Sequence, residues 1–481
     1  MSRILIHNAI IVNEGDQFPG YLIIEGSRIA HVGRGGDFHP AASGAQPAAG
    51  AFAPGPNIEN RAAAESFGRF DRVIDAEGGL LLPGAIDTHV HFREPGLTHK
   101  ASIATESAAA VSGGVTSFLD MPNTKPATTS MSAVRDKKRI AADTSYCNYG
   151  FFLGATNDNL DEILGADPRE IPGVKLFMGS STGNMLVDDD LQLSDLFARY
   201  KGVIAVHAED EPTLRAARGR LTAAYGDEID VWRHVEARPA EACVTATRRA
   251  VEMARRHGTR LHVCHVSTRD ELQFFSPGDI CDKKITAETC PHYLLFTADD
   301  LKAADGCMLK CNPAIKSAGD RDALRAAVAA GIIDVIATDH APHLIAEKQG
   351  SLWKAASGMP GTRFMLSAML TLAPQIGITP ARVAELCAHN PARLYGIAGR
   401  GFIREGYFAD LVIAAPSEPY HPEVGDYLPK GLMSPCDWTP YARTELTWRV
   451  AATIVNGCVA FDGTRVRTAL TMPLEFGNAS R

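Results

Sequence analysis

The chain has 481 residues, a net charge of −8, and a composition that is 45% hydrophobic and 22% charged. That length is more than one simple core needs, so a large domain with a smaller companion is expected. The acidic balance excludes the clustered basic face of a nucleic-acid binder, and no apolar run reaches the ~18 residues of a membrane-spanning helix.

The chain begins with MSRILIHNAIIV, which starts a strand at once and lacks the basic flank and cleavage site of a leader peptide. Short β-rich runs follow one another at Ile4–Val12, Tyr21–Val32 and Val73–Leu82. Residues 36–67, rich in Ala, Gly and Pro, hold too little apolar surface to order themselves and form a surface insertion without chemistry. The ten cysteines include no CxxC pair, which fits reduced thiols in a cytoplasmic protein.

From Pro83 the pattern changes. Apolar strands recur at Ala85–His91, Val115–Met121, Tyr149–Leu153, Val174–Met178, Val203–His207, Leu261–Val266, Ile285–Thr289 and Val335–Thr338. Helical stretches such as Ala101–Ser112, Ala240–His257 and Asp320–Ala330 lie between them. Eight strand-then-helix units predict an α/β fold, a (β/α)₈ TIM-like barrel spanning 83–395. A further helix, Ala381–Leu394, closes this region. The β-rich runs Ala409–Ala414 and Trp448–Phe461, the second split by the turn Asn456-Gly457, then return. We expect residues 1–82 and 396–481 to pair as a small β-sandwich domain built from both chain ends.

The reactive residues fall where such a barrel places its active site, at the C-terminal ends of the strands. His89-Val90-His91 is an HxH pair, and residues two apart on a strand face the same way, so both imidazoles can reach one ion. Lys175 sits in the apolar strand Gly173-Val174-Lys175-Leu176-Phe177, where an unpaired ammonium is costly. Deprotonated, it can take up carbon dioxide and become a carbamate, an anion able to bridge two cations. His207 and His265 each end an apolar strand; His262, three residues before His265, is expected to be packed instead. Asp339 closes the last strand in Thr338-Asp339-His340-Ala341-Pro342-His343 and can both ligate a metal and take a proton from bound water. Metal binding lowers the pKa of such a water from near 16 to about 7. Nitrogen and oxygen donors suit zinc without excluding manganese, cobalt or iron.

With these residues in place the chain resembles the amidohydrolase superfamily and, within it, the dihydroorotases. The resemblance runs from the first strands to Tyr407-Phe408-Ala409-Asp410-Leu411-Val412. It is most specific at Asp87-Thr88-His89-Val90-His91-Phe92-Arg93-Glu94-Pro95-Gly96, Met121-Pro122-Asn123-Thr124 and Ala337-Thr338-Asp339-His340-Ala341-Pro342-His343. It implies two zinc ions held by His89, His91, His207, His265 and Asp339, a carboxylated Lys175 between them, and Asp339 as proton shuttle. It also implies substrate contacts by Arg93, Asn123, Asn312 and His343, a homodimer or homotetramer, and a step of pyrimidine biosynthesis.

Arg93, two residues beyond His91, suits a bidentate pair with the carboxylate of dihydroorotate. Hydantoinases (dihydropyrimidinases) and allantoinases share the fold and ligands and are the competing readings; allantoinases typically carry Asn where Arg93 stands. Two segments depart from the dihydroorotase pattern: Pro313-Ala314-Ile315-Lys316 replaces Pro-Pro-Leu-Arg, and Gly358-Met359-Pro360-Gly361-Thr362-Arg363-Phe364 lacks Gly-Leu-Glu-Thr. A catalytically dead scaffold relative is the remote alternative, and it would be expected to have lost ligands that this chain keeps.

Overall fold

The computed structural model describes residues 2–35, 70–179, 185–187, 189–425 and 427–477. The Ala/Gly/Pro-rich stretch 36–67 lies outside them.

Both chain ends build one sheet. Its strands are β1 (Arg3–Asn13), β2 (Asp16–Glu25), β3 (Arg28–Arg34), β4 (Arg72–Asp75) and β5 (Leu80–Pro83) from the N-terminal side. The C-terminal side supplies β15 (Leu411–Tyr420), β16 (Leu446–Val455) and β17 (Cys458–Phe461). The order is β17-β16-β15-β5-β1-β2-β3, with β4 also paired to β1. The expected run Tyr21–Val32 is two strands, because Gly26 (φ 61°) turns the chain between them. Val73–Leu82 likewise divides at Gly78 (φ 77°). In β1 the core face changes phase: Ile4 and Ile6 point inward, then Ala9 and Ile11 do. A bulge between Ile6 and Ala9, with Asn8 at φ 53°, inserts the odd residue that makes this possible.

The barrel lies between these two halves. Its strands are β6 (Ala85–Val90), β7 (Val115–Asp120), β8 (Asn148–Phe151) with β9 (Leu153–Gly154), β10 (Gly173–Phe177), β11 (Val203–His207), β12 (Arg260–Val263), β13 (Ile285–Thr289) and β14 (Val335–Ile336). All pair in parallel. β8 and β9 are one barrel position interrupted at Phe152. The ring closes through a bridge between Val90 and His340, where the His91 amide donates to the His340 carbonyl at 2.7 Å.

Helices cover the outside. The helix Ala240–His257 buries Ala242, Cys243, Ala246, Ala250 and Ala254, a small-residue stripe at helical spacing. It ends on Gly258 in the left-handed conformation, with Arg255, Arg256 and His257 in the last turn. The helical run Pro380–Tyr395 contains a π-turn at Glu385–His389. Among the described residues, no helix is long and apolar enough to cross a membrane.

Candidate metal centre

Barrel geometry gathers the predicted ligands at one mouth. His89 is in the last turn of pleat of β6, and His91 follows directly. Lys175 is mid-strand in β10, His207 ends β11, His265 lies two residues beyond β12, and Asp339 three beyond β14. Three residues at this mouth have the left-handed backbone that side chains rarely adopt: Arg93 (φ 68°), His265 (φ 40°) and Asp339 (φ 48°). A strand that ended normally would aim these side chains elsewhere, so the strain is part of how the site is built.

The first cluster is His89, His91 and Asp339. Asp339 Oδ1 lies 3.0 Å from His91 Nε2 and 3.4 Å from His89 Nε2. Each imidazole has its other nitrogen committed: His89 Nδ1 to Glu288 Oε1 at 2.8 Å, and His91 Nδ1 to Asn123 Oδ1 at 2.7 Å. Both Nδ1 atoms must donate there, because carboxylate and amide oxygens only accept. The two Nε2 lone pairs therefore converge on a carboxylate oxygen. Three acceptors this close repel one another unless a cation lies among them, and their donor atoms are within 4.8 Å of each other.

The second cluster is His207 and His265. His207 Nε2 donates to Glu209 Oε2 at 2.9 Å, which leaves its Nδ1 lone pair 2.9 Å from His265 Nε2. Arg238 in turn holds Glu209, with Nε at 3.0 Å from both carboxylate oxygens. The rings of His265 and His89 are 5.2 Å apart, which joins the two clusters. Lys175, fully buried, faces the same space. Among the described residues it has no carboxylate partner and donates to Cys264 Sγ at 3.2 Å. A buried ammonium so placed is expensive, and an anion in its place would be tolerated only if paired with cations held by the neighbouring histidines and Asp339.

The electrostatics agree with a cation-binding site. Burial, helped by Lys175, pushes His89 down to about 4. Burial and His207 hold His265 well below its ordinary value. Burial opposes ionisation of Asp339, but His89, His91 and His265 outweigh it and hold the carboxyl well below the usual range. Neutral imidazoles and an ionised carboxylate are the protonation states that ligate metals.

Of the residues expected from sequence to meet substrate, Asn123 contacts His91 and Arg93 contacts His343, while Asn312 contacts His234. Arg93 is 6% exposed, donates from Nε to the Pro342 carbonyl at 3.1 Å, and has no carboxylate partner among the described residues. Its Nη2 lies 3.0 Å from His343 Nε2. Asn123 is turned toward His91. Asn312 Oδ1 lies 3.1 Å from His234 Nε2, apart from the Arg93–His343 pair.

Sequence reasoning missed Glu288, which sits fully buried inside β13. It receives His89 Nδ1, Thr88 Oγ1 at 3.0 Å, His262 Nε2 at 3.3 Å and the His265 amide at 3.3 Å. His262 is buried, as expected, and its ring nitrogens lie 2.9 Å from Thr286 Oγ1 and 3.3 Å from Glu288 Oε2.

Residues 80–459 match the model of the amidohydrolase family. A dihydroorotase from Halobacterium salinarum is 36% identical over 396 residues, spanning 82% of this chain and 89% of its own. An allantoinase from Streptomyces avermitilis is 34% identical over 392 residues, spanning 80% and 85%. Among solved structures, L-hydantoinase (dihydropyrimidinase) from Arthrobacter aurescens superimposes with a TM-score of 0.83 over 99% of this chain and 100% of that one, at 24% identity.

Proposed function

The chain belongs to the amidohydrolase family, and on that footing we propose that it is a dihydroorotase, interconverting L-dihydroorotate and N-carbamoyl-L-aspartate in pyrimidine biosynthesis. At the coarser level it is a metal-dependent cyclic amidohydrolase acting on a small-molecule substrate. The observation that favours dihydroorotate over an uncharged ring is Arg93: a buried guanidinium that has no carboxylate partner among the described residues, beside the candidate metal centre.

In this reading His89, His91, His207, His265, Asp339 and a carboxylated Lys175 would together hold two divalent ions. Zinc suits the nitrogen and oxygen donors. Neutral Lys175 Nζ forms a bond to the carbon of carbon dioxide and releases one proton, leaving a carbamate. When bound, the ions supply Lewis acidity toward a carbonyl oxygen and acidify water. The protein does the rest. Arg93 pairs with the ring carboxylate, and Asn123, Asn312 and His343 border the substrate. Placing the ring amide against the site turns an encounter into a positioned reaction. In the opening direction a water oxygen bonds to the ring carbonyl carbon as its C–N bond breaks, and Asp339 takes the proton that water gives up and passes it to the leaving ring nitrogen. Glu288, Glu209 and Arg238 keep the histidines in their ligand tautomers.

A second reading, allantoinase, is favoured by the comparable identity of the Streptomyces relative. One comparison separates them: turnover of dihydroorotate, dihydrouracil, hydantoin and allantoin by the same preparation. Dihydroorotate should exceed the other rings by at least tenfold in kcat/KM. Equal turnover of the uncharged rings, or preference for allantoin, would reject the assignment.

A further inference from the structure

The turn that leaves β6 carries a second cation back to the substrate end of the site. Leu97 N donates to the Arg93 carbonyl at 3.0 Å and Lys100 N to the Leu97 carbonyl at 3.0 Å. This tight path returns Lys100 to the side of His343. Its Nζ lies 3.1 Å from His343 Nδ1 and 2.9 Å from Glu347 Oε1, with the side chain 16% exposed. The other Glu347 oxygen receives the Leu344 amide at 3.0 Å and lies 3.3 Å from His343 Nδ1. On the opposite edge of the imidazole, Nε2 lies 3.1 Å from the Ser357 carbonyl and 3.0 Å from Arg93 Nη2.

These neighbours offer the ring two hydrogen-bonding arrangements. In one, Nδ1 accepts from the Lys100 ammonium and Nε2–H donates to Ser357. Arg93 Nη2 then meets an N–H and finds no acceptor in His343. In the other, Nδ1–H donates to Glu347 and Nε2 accepts from Arg93, which ties the guanidinium to the protein. Burial, then the charges of Arg93 and Lys100, hold His343 down to about 2, so the ring is neutral and must choose one arrangement. At Nδ1 the Lys100 ammonium is the nearer partner, 3.1 Å against 3.3 Å to Glu347, and the Nε2–H form serves both Lys100 and Ser357, whereas the Nδ1–H form serves Glu347 and Arg93.

We propose that Lys100 is a positioning residue for substrate selection: by donating to His343 Nδ1 it fixes the Nε2–H form of the ring and leaves Arg93 free to take the carboxylate of a ring substrate. The inference rests on the dihydroorotase reading and extends it to a residue outside the metal site. A residue that merely supported the fold would lower kcat, metal content and KM selectivity together. Lys100 should act on KM for the anionic substrate alone.

The test is steady-state kinetics of the metal-loaded enzyme with dihydroorotate and dihydrouracil. Lys100→Met should raise KM for dihydroorotate at least tenfold, leave kcat within threefold, and leave dihydrouracil turnover and metal content unchanged. Lys100→Arg should restore KM to within threefold. The ¹⁵N shifts of His343, assigned by their loss in His343→Gln, read the ring directly in the wild-type holoenzyme and stand even if Lys100→Met does not fold. They should carry the Nε2–H signature. An Nδ1–H signature, an unchanged KM in Lys100→Met, or a fall in kcat with metal loss overturns the proposal. A wild type that opens allantoin or dihydrouracil but not dihydroorotate rejects the parent reading instead.

Discussion

At the residue scale, the site is controlled by what stands behind the ligands. Glu288 collects four donors, two from β6 and two from β12 and the residues just beyond it, and fixes which nitrogen of His89 faces the centre. Burial resists its ionisation, but His89 and His262 keep the carboxyl well below its ordinary range. Partners of this kind typically change metal affinity 10–100-fold when removed. Glu288→Ala should therefore weaken metal binding by about that factor, measured by competition with a chelator, while Glu288→Gln, which keeps an acceptor, should lose less. Unchanged affinity in the alanine variant would show that His89 needs no orienting partner. The candidate ligands were legible in the sequence because HxH spacing and a lysine in an apolar strand are local signals. Glu288 in Ile285-Thr286-Ala287-Glu288-Thr289 has no such signal. Its meaning comes from His89, nearly two hundred residues earlier, and only barrel register brings them together. Lys100, in Leu97-Thr98-His99-Lys100, likewise looks like an ordinary surface lysine until the turn returns it to His343.

At the element scale, the barrel strands were legible because each apolar run stops where polar residues begin. The breaks inside β-rich runs were harder to see: Gly26 and Gly78 act through backbone angle and leave the composition strand-like. The turn after β6 depends on Gly96 in the same way. Its φ is 85°, and a Cβ there would sit 1.8 Å from the Lys125 carbonyl oxygen. Gly96→Ala should displace the turn that holds Arg93 and Lys100. We expect kcat/KM for dihydroorotate to fall at least tenfold, and strain of this type costs of order 1–3 kcal/mol. A kinetic assay with a thermal melt checks both; wild-type values in each would mean that the turn does not set the arginine's position.

At the scale of the whole molecule, the centre draws on β6, β10, β11, β12 and β14, so ions held there would cross-link most of the ring. Removing them leaves converging lone pairs at Asp339, His89 and His91. Exhaustive chelation should lower the melting temperature by several degrees, and adding zinc should restore it, as binding to the folded state alone requires. An identical melt with and without chelator would argue against ions at this mouth. The pairing of both chain ends was inferable from β-rich runs flanking the barrel, but the strand order was not, because nothing local tells β5 that its two neighbours are β1 and β15.

That placement of β5 bears on how the chain is made. Leu80–Pro83 lies with β1 on one side and β15 on the other. During synthesis β1 is available at once, whereas β15 begins only at Leu411. Through the whole emergence of the barrel, β5 keeps one edge of backbone donors and acceptors open, an invitation to mispairing with a neighbouring nascent chain. Pro83, which has no amide hydrogen to offer, stands at the end of that waiting edge.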